Sequence, residues 1–403
     1  MNTPQSPLSK REFIALMGMT SATIAFSIDA MLPSLPEIGK ALTPEAINRA
    51  QLVLTSFVLG MGIGTFFTGP LSDAFGRRRV LLAGFVLYMI GAILGMLAGS
   101  LELLLAARVI QGLGSAGPRV VAMAVIRDRF SGRQMAQVMS FVMMVFTLVP
   151  AFAPSMGAGI IYLVGWRGLF GAFVVFAILN SLWFSLRQPE TLAPENRREF
   201  RPAKLWEGVK EVLANHTVRI TIIVQTMIFG ALFGLLSSTQ QVFDITFGQG
   251  ANFPLWFGGI ALVSGTASVV NAAFVVRIGM RRIIRITLAT QILLAGGFAF
   301  LVGFNLMPAA LYFSAFLLWM TSVFFMAGMT IGNLNAIAME PMGHMAGMAA
   351  SVTSAIFTVS AVMIAAPIGL AFDGTPLPLA IGVFCCAALA LLLMQLIRNE
   401  PVA

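Results

Sequence analysis

Long apolar runs, separated by short polar segments, make up most of the chain. A helix needs about 20 apolar residues to cross a bilayer, and on this criterion the pattern predicts twelve spans. They cover residues 12–33, 49–70, 80–99, 102–125, 136–163, 167–186, 217–243, 253–276, 283–304, 307–334, 346–371 and 377–397. The pattern therefore predicts an all-α membrane protein.

One long polar connection, residues 188–216, separates the sixth span from the seventh. It begins with a proline-rich stretch, and residues 204–214 then place apolar side chains at helical spacing. This pattern favours a short amphipathic helix in the membrane interface, with a solvated loop as the alternative. The predicted organisation is a six-helix lobe over residues 1–187, a cytoplasmic linker over 188–216 and a second six-helix lobe over 217–403.

The composition excludes a soluble protein. Of 403 residues, 58% are hydrophobic and only 10% are charged, whereas soluble domains carry about 25% charged residues. The net charge of +9 does not indicate nucleic-acid binding, because Lys and Arg collect in the cytoplasmic loops of membrane proteins. The two adjacent cysteines, Cys385 and Cys386, lie in an apolar run and are interpreted as packing residues.

The loop charges predict the orientation. With a cytoplasmic N-terminus, 20 of the 25 Lys and Arg residues lie inside, which under the positive-inside rule places both termini in the cytoplasm. The inside set is Lys10, Arg11, Arg77, Arg78, Arg79, Arg127, Arg129, Arg133, Arg187, Arg197, Arg198, Arg201, Lys204, Lys210, Arg219, Arg277, Arg281, Arg282, Arg285 and Arg398.

Two opposite charges lie deep inside the predicted spans. Asp29 is 18 residues beyond Arg11, and Arg108 is 19 residues before Arg127. At 1.5 Å per residue both lie at a similar depth, so we expect them to pair. A buried carboxylate is costly in a bilayer and marks a proton-coupling candidate; the alternative is a static ion pair.

Several other side chains are candidates for a substrate cavity. Arg119 lies on the same helical face as Arg108, although its side chain can instead extend to the interface. The second half carries amides within its spans rather than charges, namely Gln225, Gln240, Gln241, Asn271 and Gln291. The predicted cavity residues are Gln111, Arg119, Met143, Phe146, Phe229, Phe233 and Gln240. The chain's 33 Phe and 25 Met suit promiscuous binding, but most will face lipid or pack inside the protein.

The two halves resemble each other weakly. Residues 75–79 after the second span are echoed by residues 278–282 after the eighth, at an offset of 203 residues. Ala153, Pro154 and Gly157 are echoed by Ala366, Pro367 and Gly369. Paired halves around a central loop are typical of transporters, and they predict lobes related by a pseudo-two-fold axis.

The most specific motif is Gly69–Leu81, with the sequence GPLSDAFGRRRVL. Gly76 permits a tight turn, and Asp73 can cap a helix or pair with an arginine. The motif resembles the signature loop between the second and third spans of the major facilitator superfamily, except that Ala74 replaces a common basic residue. The resemblance implies a twelve-helix, two-lobe transporter in which Gly69, Asp73, Gly76, Arg77 and Arg78 form a cytoplasmic gate.

Further motifs resemble one branch of that superfamily. The fourth span's Arg108 followed by Gln111-Gly112 matches a superfamily pattern, and Pro154 with Gly157 resembles a degraded form of the fifth-span element of drug antiporters. Residues 29–36, 127–129 and 140–144 are similar to the Bcr/CflA-type multidrug efflux branch. This resemblance implies export of bicyclomycin- or chloramphenicol-like drugs in exchange for protons, by a functional monomer in a bacterial inner membrane.

The sequence contains no pattern typical of an enzyme. It has no phosphate-binding loop, catalytic triad or metal-ligand cluster, and Glu340 with His344 is interpreted as a loop pair rather than a metal site. We therefore expect no metal and no cofactor, with the proton gradient as the energy source. The expected partners are a small-molecule substrate, protons and lipid, without nucleic acid. The main alternative is a proton-coupled exporter or uptake symporter of a sugar, nucleoside or amino acid.

Overall fold

The computed structural model describes residues 8–197, 199–200 and 202–397, and within these residues the chain is helical. The helices are α1 (Lys10–Asp29), α2 (Leu35–Leu42), α3 (Leu52–Phe75), α4 (Arg77–Met96), α5 (Leu101–Arg129), α6 (Gly132–Arg187), α7 (Pro202–Ala214), α8 (His216–Gln241), α9 (Phe253–Ile278), α10 (Met280–Gly303), α11 (Ala309–Met339), α12 (Ala346–Leu370) and α13 (Leu377–Met394).

The helices confirm the predicted membrane architecture. Ten described stretches are long and apolar enough to cross a membrane, and two of them, Gly132–Arg187 and Ala309–Leu370, hold two spans each. The first of these is α6, which changes direction at Gly165, where φ is +70°. A positive φ favours glycine, so the turn between the fifth and sixth spans needs no separate loop.

The first span ends earlier than predicted. Hydropathy extends it to residue 33, but α1 ends at Asp29 and a 3₁₀ turn follows at Leu32–Ser34. Pro33 and Pro36 explain the difference, since proline lacks the N–H that continues a helix and its ring clashes with the preceding turn.

The helices group into two compact units. One unit comprises Met1–Ser34 and Ser56–Pro202, and the other comprises Leu35–Thr55 and Ala203–Ala403. The segment Leu35–Thr55 therefore packs with the second half of the chain, a feature absent from the sequence prediction. The predicted boundaries 1–187, 188–216 and 217–403 stay a prediction.

Each unit has its own helix packing. In the first unit α1 packs on α6 and α5, while α4 packs on α5 and α6. In the second unit α8 packs on α12, α13 and α11, and α10 packs on α13 and α11. The buried Gln51 amide, at the start of the second span, donates to Gln241 on α8 and accepts from Ser238 at 2.7 Å. This polar cluster holds the segment Leu35–Thr55 in the second unit.

The amphipathic segment of the linker forms the predicted helix, α7. Leu205, Val209 and Val212 are buried, whereas Trp206 is 60% exposed. The expected pair of Glu340 with His344 is wrong: His344 Nε2 lies 2.6 Å from Glu211 Oε1, and Glu340 Oε2 lies 3.6 Å from Arg281. The two neighbours in this turn do not pair with each other, because Glu211 on α7 lies beside His344.

Some predictions fall outside the described residues. These are the cytoplasmic placement of both termini and of three arginines, Arg198, Arg201 and Arg398.

Candidate functional site

The early end of α1 leaves one backbone carbonyl available to a side chain. The Met31 N–H donates to Ile28 O at 3.3 Å, and the Ala30 N–H donates to Phe26 O at 3.1 Å. In a continuing helix the Met31 N–H would donate to Ser27. The Ser27 carbonyl is therefore released from the backbone ladder, as at any helix end.

Arg108 on α5 uses this carbonyl. Its Nη2 donates to Ser27 O at 3.1 Å, and its Nη1 donates to Gln111 Oε1 at 2.7 Å. The guanidinium carbon lies 4.3 Å from the centre of the Phe57 ring. Arg108 is fully buried, so these contacts offset part of the cost of removing its charge from water.

The same level of the unit contains a second polar contact. The Ser27 and Tyr88 hydroxyls lie 2.6 Å apart, and Ser27 Oγ also donates to Thr23 O at 2.6 Å. Ser27 thus links α1 to α4 through its hydroxyl and to α5 through its carbonyl. Three helices of the first unit meet at this one residue, which rigidifies the end of α1.

The expected ion pair between Asp29 and Arg108 is wrong. Asp29 is buried, with 6% exposure, but within the described residues its carboxylate makes no ion pair or hydrogen bond with Arg108. The sequence gives the depth of a residue in the bilayer, but it does not give the direction in which the side chain points around its helix. Ser27 and Asp29 lie about 200° apart around α1, so Arg108, which lies beside Ser27, does not reach Asp29.

The fifth-span element packs directly against the turn that follows Asp29. A Cβ placed on Gly157 would lie 2.2 Å from the Ala30 carbonyl oxygen, so only glycine fits at this crossing of α6 and α1. Pro154, one turn earlier, is also buried. Pro154 and Gly157, which resemble the drug-antiporter element, thus position the backbone of α6 beside the turn that follows Asp29.

The signature loop forms a compact ionic cluster. Arg77 Nη1 pairs with Asp73, and its Nε lies 3.1 Å from Asp128 Oδ2. Gly76, at φ +98°, is the N-cap of α4. Asp73, Gly76 and Arg77 are therefore brought together as predicted, and Gly69 contributes a carbonyl that accepts from Ser72 at 2.8 Å.

Glu190 completes this cluster, and the sequence analysis missed it. Its carboxylate accepts from the backbone N–H of Arg77 at 2.9 Å and of Arg78 at 3.1 Å. It therefore neutralises the N-terminal end of α4, where the helix dipole favours negative charge. Arg78 Nη2 donates to Ser185 O at 2.7 Å, which fixes the end of α6. The sequence offers one indication of such a partner: Gly76 at the N-cap has no side chain, so the first N–H groups of α4 need an acceptor from elsewhere.

One face of α8 combines aromatic rings with unsatisfied amides. Residues 225, 229, 233 and 240 share this face by helical spacing. The ring of Phe229 lies 5.8 Å from that of Phe233 and 4.6 Å from that of Phe357 on α12. Both amide atoms of Gln225 and the Oε1 of Gln240 are buried without a hydrogen-bond partner in the described structure. Unsatisfied buried amides are costly and indicate a missing partner.

The remaining predicted cavity residues show fewer contacts. Gln111 holds Arg108, and its own Nε2 is buried without a hydrogen-bond partner in the described structure. Arg119 Nη1 lies 3.9 Å from the Met61 sulfur. On α6, Met143 is exposed and Phe146 is half-buried. Their place in a substrate cavity stays a prediction.

The family model that matches this chain is that of the Major Facilitator Superfamily, over residues 15–367. The chain belongs to the major facilitator superfamily. This membership confirms the predicted family and makes the protein a multi-pass membrane protein with the fold of a transporter rather than an enzyme.

Similar proteins support the predicted branch. The chain is 32% identical over 365 residues to a bicyclomycin resistance protein homolog of Haemophilus influenzae, covering 87% of each chain. It is 34% identical over 164 residues to a chloramphenicol resistance protein of Pseudomonas aeruginosa, covering 40% of this chain and 37% of the other. These relatives confirm the resemblance to Bcr/CflA-type transporters.

A solved structure confirms the fold. The crystal structure of a D-xylose-proton symporter has a TM-score of 0.73 with this chain at 17% identity, covering 95% of this chain and 97% of the symporter. At this identity the likeness concerns the fold alone.

Proposed function

We propose that the protein exports small amphipathic drugs of the bicyclomycin or chloramphenicol class in exchange for protons, by alternating access. The relatives named for resistance to these two drugs support the substrate class. We place the protein in a bacterial inner membrane with both termini in the cytoplasm, because the arginine-rich loops lie on one side of the predicted spans.

The buried Asp29 carries the proposal for proton coupling. Its carboxylate lies at the end of α1 and is not locked to Arg108. A carboxylate in this position can take up a proton without breaking an ion pair. The charged carboxylate is costly in an apolar setting. Either a proton or a bound drug can offset this cost, and the two therefore compete for Asp29. Uptake of a proton then accompanies release of the drug.

Arg108 is a positioning residue in this scheme. Hydrogen bonds join it to Gln111 on α5 and to the Ser27 carbonyl, so its charge stays fixed beside Ser27, two residues before Asp29 in the chain. A fixed positive charge favours the ionised carboxylate. Movement of α1 relative to α5 would change that influence and hence the affinity of Asp29 for its proton.

The α8 face is the proposed contribution of the second unit to drug binding. Phe229, Phe233 and Phe357 offer an apolar surface, while Gln225 and Gln240 offer unsatisfied amide groups. Binding sites for small molecules combine mostly apolar walls with a few polar groups in this way. Met143 and Phe146 on α6 stay candidates for contact with the substrate.

The signature loop is the proposed conformational lock. Arg77 binds the end of α3 through Asp73 and the end of α5 through Asp128, while Glu190 holds the start of α4. Such a cluster stabilises one arrangement of these helix ends, and its rupture would accompany the change of state. The proton gradient is the energy source, and a monomer suffices for this cycle.

Expression in a bacterial strain that lacks its own drug pumps tests this function. We expect resistance to bicyclomycin or chloramphenicol to rise, and drug addition to energised inside-out vesicles to release protons from them. A matched control is the Asp29→Asn variant at equal membrane abundance, which should give neither effect. Unchanged drug sensitivity together with gradient-dependent transport of a sugar, nucleoside or amino acid would instead establish the alternative function.

A further inference from the structure

The fourth span carries a second arginine, Arg119, eleven residues after Arg108 and on the same face of α5. The two side chains differ in their partners. Arg108 donates to Gln111 and to the Ser27 carbonyl. Arg119 Nη1 lies 3.9 Å from the Met61 sulfur, and the described structure gives this guanidinium no other polar contact. Because a guanidinium has five N–H donors and a thioether is a weak acceptor, most donors of Arg119 lack a protein acceptor among the described residues.

The guanidinium of Arg119 points toward the middle of the predicted span, 102–125. Met61 on α3 lies beside Gly112 on α5, because a Cβ on Gly112 would be 2.8 Å from the Met61 backbone nitrogen. Gly112 lies near the midpoint of the span and seven residues before Arg119, which is about 10 Å along the helix. To reach Met61, the Arg119 side chain extends toward the start of α5, the direction in which helical side chains lean. The structure thus does not support an extension of this side chain to the cytoplasmic interface.

The sequence offers this guanidinium no carboxylate at the same depth. Within the twelve predicted spans the acidic residues are Glu12, Asp29 and Glu102. Glu12 and Glu102 are the first residues of their predicted spans, and Asp29 is the last residue of α1. A charge within a span is costly unless it is compensated, and such charges mark the paths of substrates and ions. The compensating group for Arg119 therefore comes from outside the chain.

Arg119 lies on the inner side of its helix. The Met61 side chain that it contacts is 3% exposed, and Arg108 on the same face is fully buried. Arg119 itself is half-buried, so a ligand can reach it. Lipid headgroups lie at the surface of the bilayer and not at the middle of a span. A molecule that enters the protein is therefore the partner that fits this position.

The chemistry of the guanidinium determines which molecules fit. It donates to carbonyl oxygens and, with two parallel N–H groups, to the paired oxygens of a planar group such as a carboxylate. It repels a cation, and this repulsion is strong away from water because the dielectric constant there is low. Bicyclomycin and chloramphenicol are both uncharged and carry several oxygen acceptors, so both satisfy these conditions.

We propose that Arg119 binds an oxygen acceptor of the drug at mid-span and thereby makes the protein select neutral or anionic drugs over permanent cations. This inference rests on the proposed drug export and assigns its charge specificity to one residue. Asp29 and Arg119 then have separate roles. The carboxylate takes up the exchanged proton, while the guanidinium binds an acceptor of the drug and excludes cations.

Equilibrium binding to the purified full chain in detergent tests the role of Arg119. Labelled chloramphenicol, which is neutral, is compared with tetraphenylphosphonium, a permanent cation. In Arg119→Gln we expect the affinity for chloramphenicol to fall about tenfold, as for loss of a charge-assisted hydrogen bond, and the affinity for tetraphenylphosphonium to rise several-fold. Arg119→Lys keeps the charge without the planar fork, so it should bind chloramphenicol with intermediate affinity and still exclude the cation.

Arg127→Gln is the matched control, because it removes an exposed arginine of the same helix and should change neither affinity. Arg119→Gln loses only the contact to the Met61 sulfur, so its melting temperature should equal that of the wild type.

Three results would overturn the inference while the proposed export stands. These are wild-type affinities for both compounds in Arg119→Gln, a fall of both affinities in that variant, and equal changes in Arg127→Gln. The first would indicate that water alone compensates Arg119, and the second would indicate a structural role. Wild-type protein that binds neither chloramphenicol nor bicyclomycin would refute the export itself, and this inference with it.

Discussion

Arg108 donates to the Ser27 carbonyl at 3.1 Å and not to the carboxylate of Asp29, two residues further along α1. The carbonyl is available because α1 ends at Asp29, before Pro33 and Pro36. The contact between α1 and the buried guanidinium of Arg108 thus depends on where α1 ends. Asp29 retains a buried carboxylate that is not locked to this arginine, which is the property a proton-coupling residue requires.

Loss of the Arg108 side chain should destabilise the first unit. In Arg108→Gln, Ser27 O and Gln111 Oε1 lose their donor, and each unsatisfied buried group costs about 1–3 kcal/mol. We expect a clear fall in melting temperature in detergent and loss of transport. The comparison is Arg119→Gln, which loses only a 3.9 Å contact to the Met61 sulfur; an equal fall in both variants would contradict the importance of the Ser27 contact.

Gly157 should tolerate no side chain. Gly157→Ala places a Cβ 2.2 Å from the Ala30 carbonyl oxygen, so α6 must move away from the end of α1 or the turn after Asp29 must shift. We expect drug resistance and proton-coupled transport to fall about fivefold or more for a clash of roughly 1–3 kcal/mol. Gly159→Ala, where a Cβ would meet nothing within 4 Å, should remain active. Similar activities of the two variants would refute the close approach.

Two glycines at helix starts give a matched pair for the role of Glu190. Both Gly76→Ala and Gly279→Ala strain a positive φ at a cost of about 1–2 kcal/mol. In Gly76→Ala the new Cβ also displaces Glu190 Oε2. We therefore expect the larger loss of thermal stability and of transport rate at Gly76. In a Glu190→Ala background this difference should disappear, and its persistence would show that Glu190 is not its cause.

Gln225 should matter for drugs more than for folding. Because neither amide atom has a hydrogen-bond partner in the described structure, Gln225→Leu should leave the melting temperature unchanged or raise it. We expect the apparent KM for the drug to rise several-fold, as for loss of one polar contact of about 1 kcal/mol. The comparison is Gln291→Leu, which loses a 3.1 Å bond from Ser322 and should destabilise the protein without changing the KM.

Hydropathy predicted the helices well because the length of a membrane span depends only on consecutive residues in the sequence. The bounds of α8, α9 and α12 lie within two residues of the predicted spans wherever the polar flanks are sharp. Family motifs likewise predicted the cluster of Asp73, Gly76 and Arg77. Both kinds of signal lie in contiguous stretches of sequence.

The features that the sequence left open are three-dimensional. Depth placed Asp29 and Arg108 at one level but gave no direction around each helix, so the predicted ion pair was wrong. The capping of α4 by Glu190 joins residues more than a hundred positions apart. The grouping of Leu35–Thr55 with the second half depends on contacts such as Gln51 with Gln241. Periodicity carries no information about partners of this kind.

Drug transport by reconstituted Asp29→Asn tests the central claim most directly. Purified wild-type and variant proteins are placed in vesicles at equal density, and drug accumulation is measured with an imposed proton gradient and, separately, as drug–drug exchange without one. Because Asn cannot carry the exchanged proton, we predict that the variant retains exchange but loses gradient-driven accumulation. Gradient-driven accumulation at the wild-type level in Asp29→Asn would contradict the account.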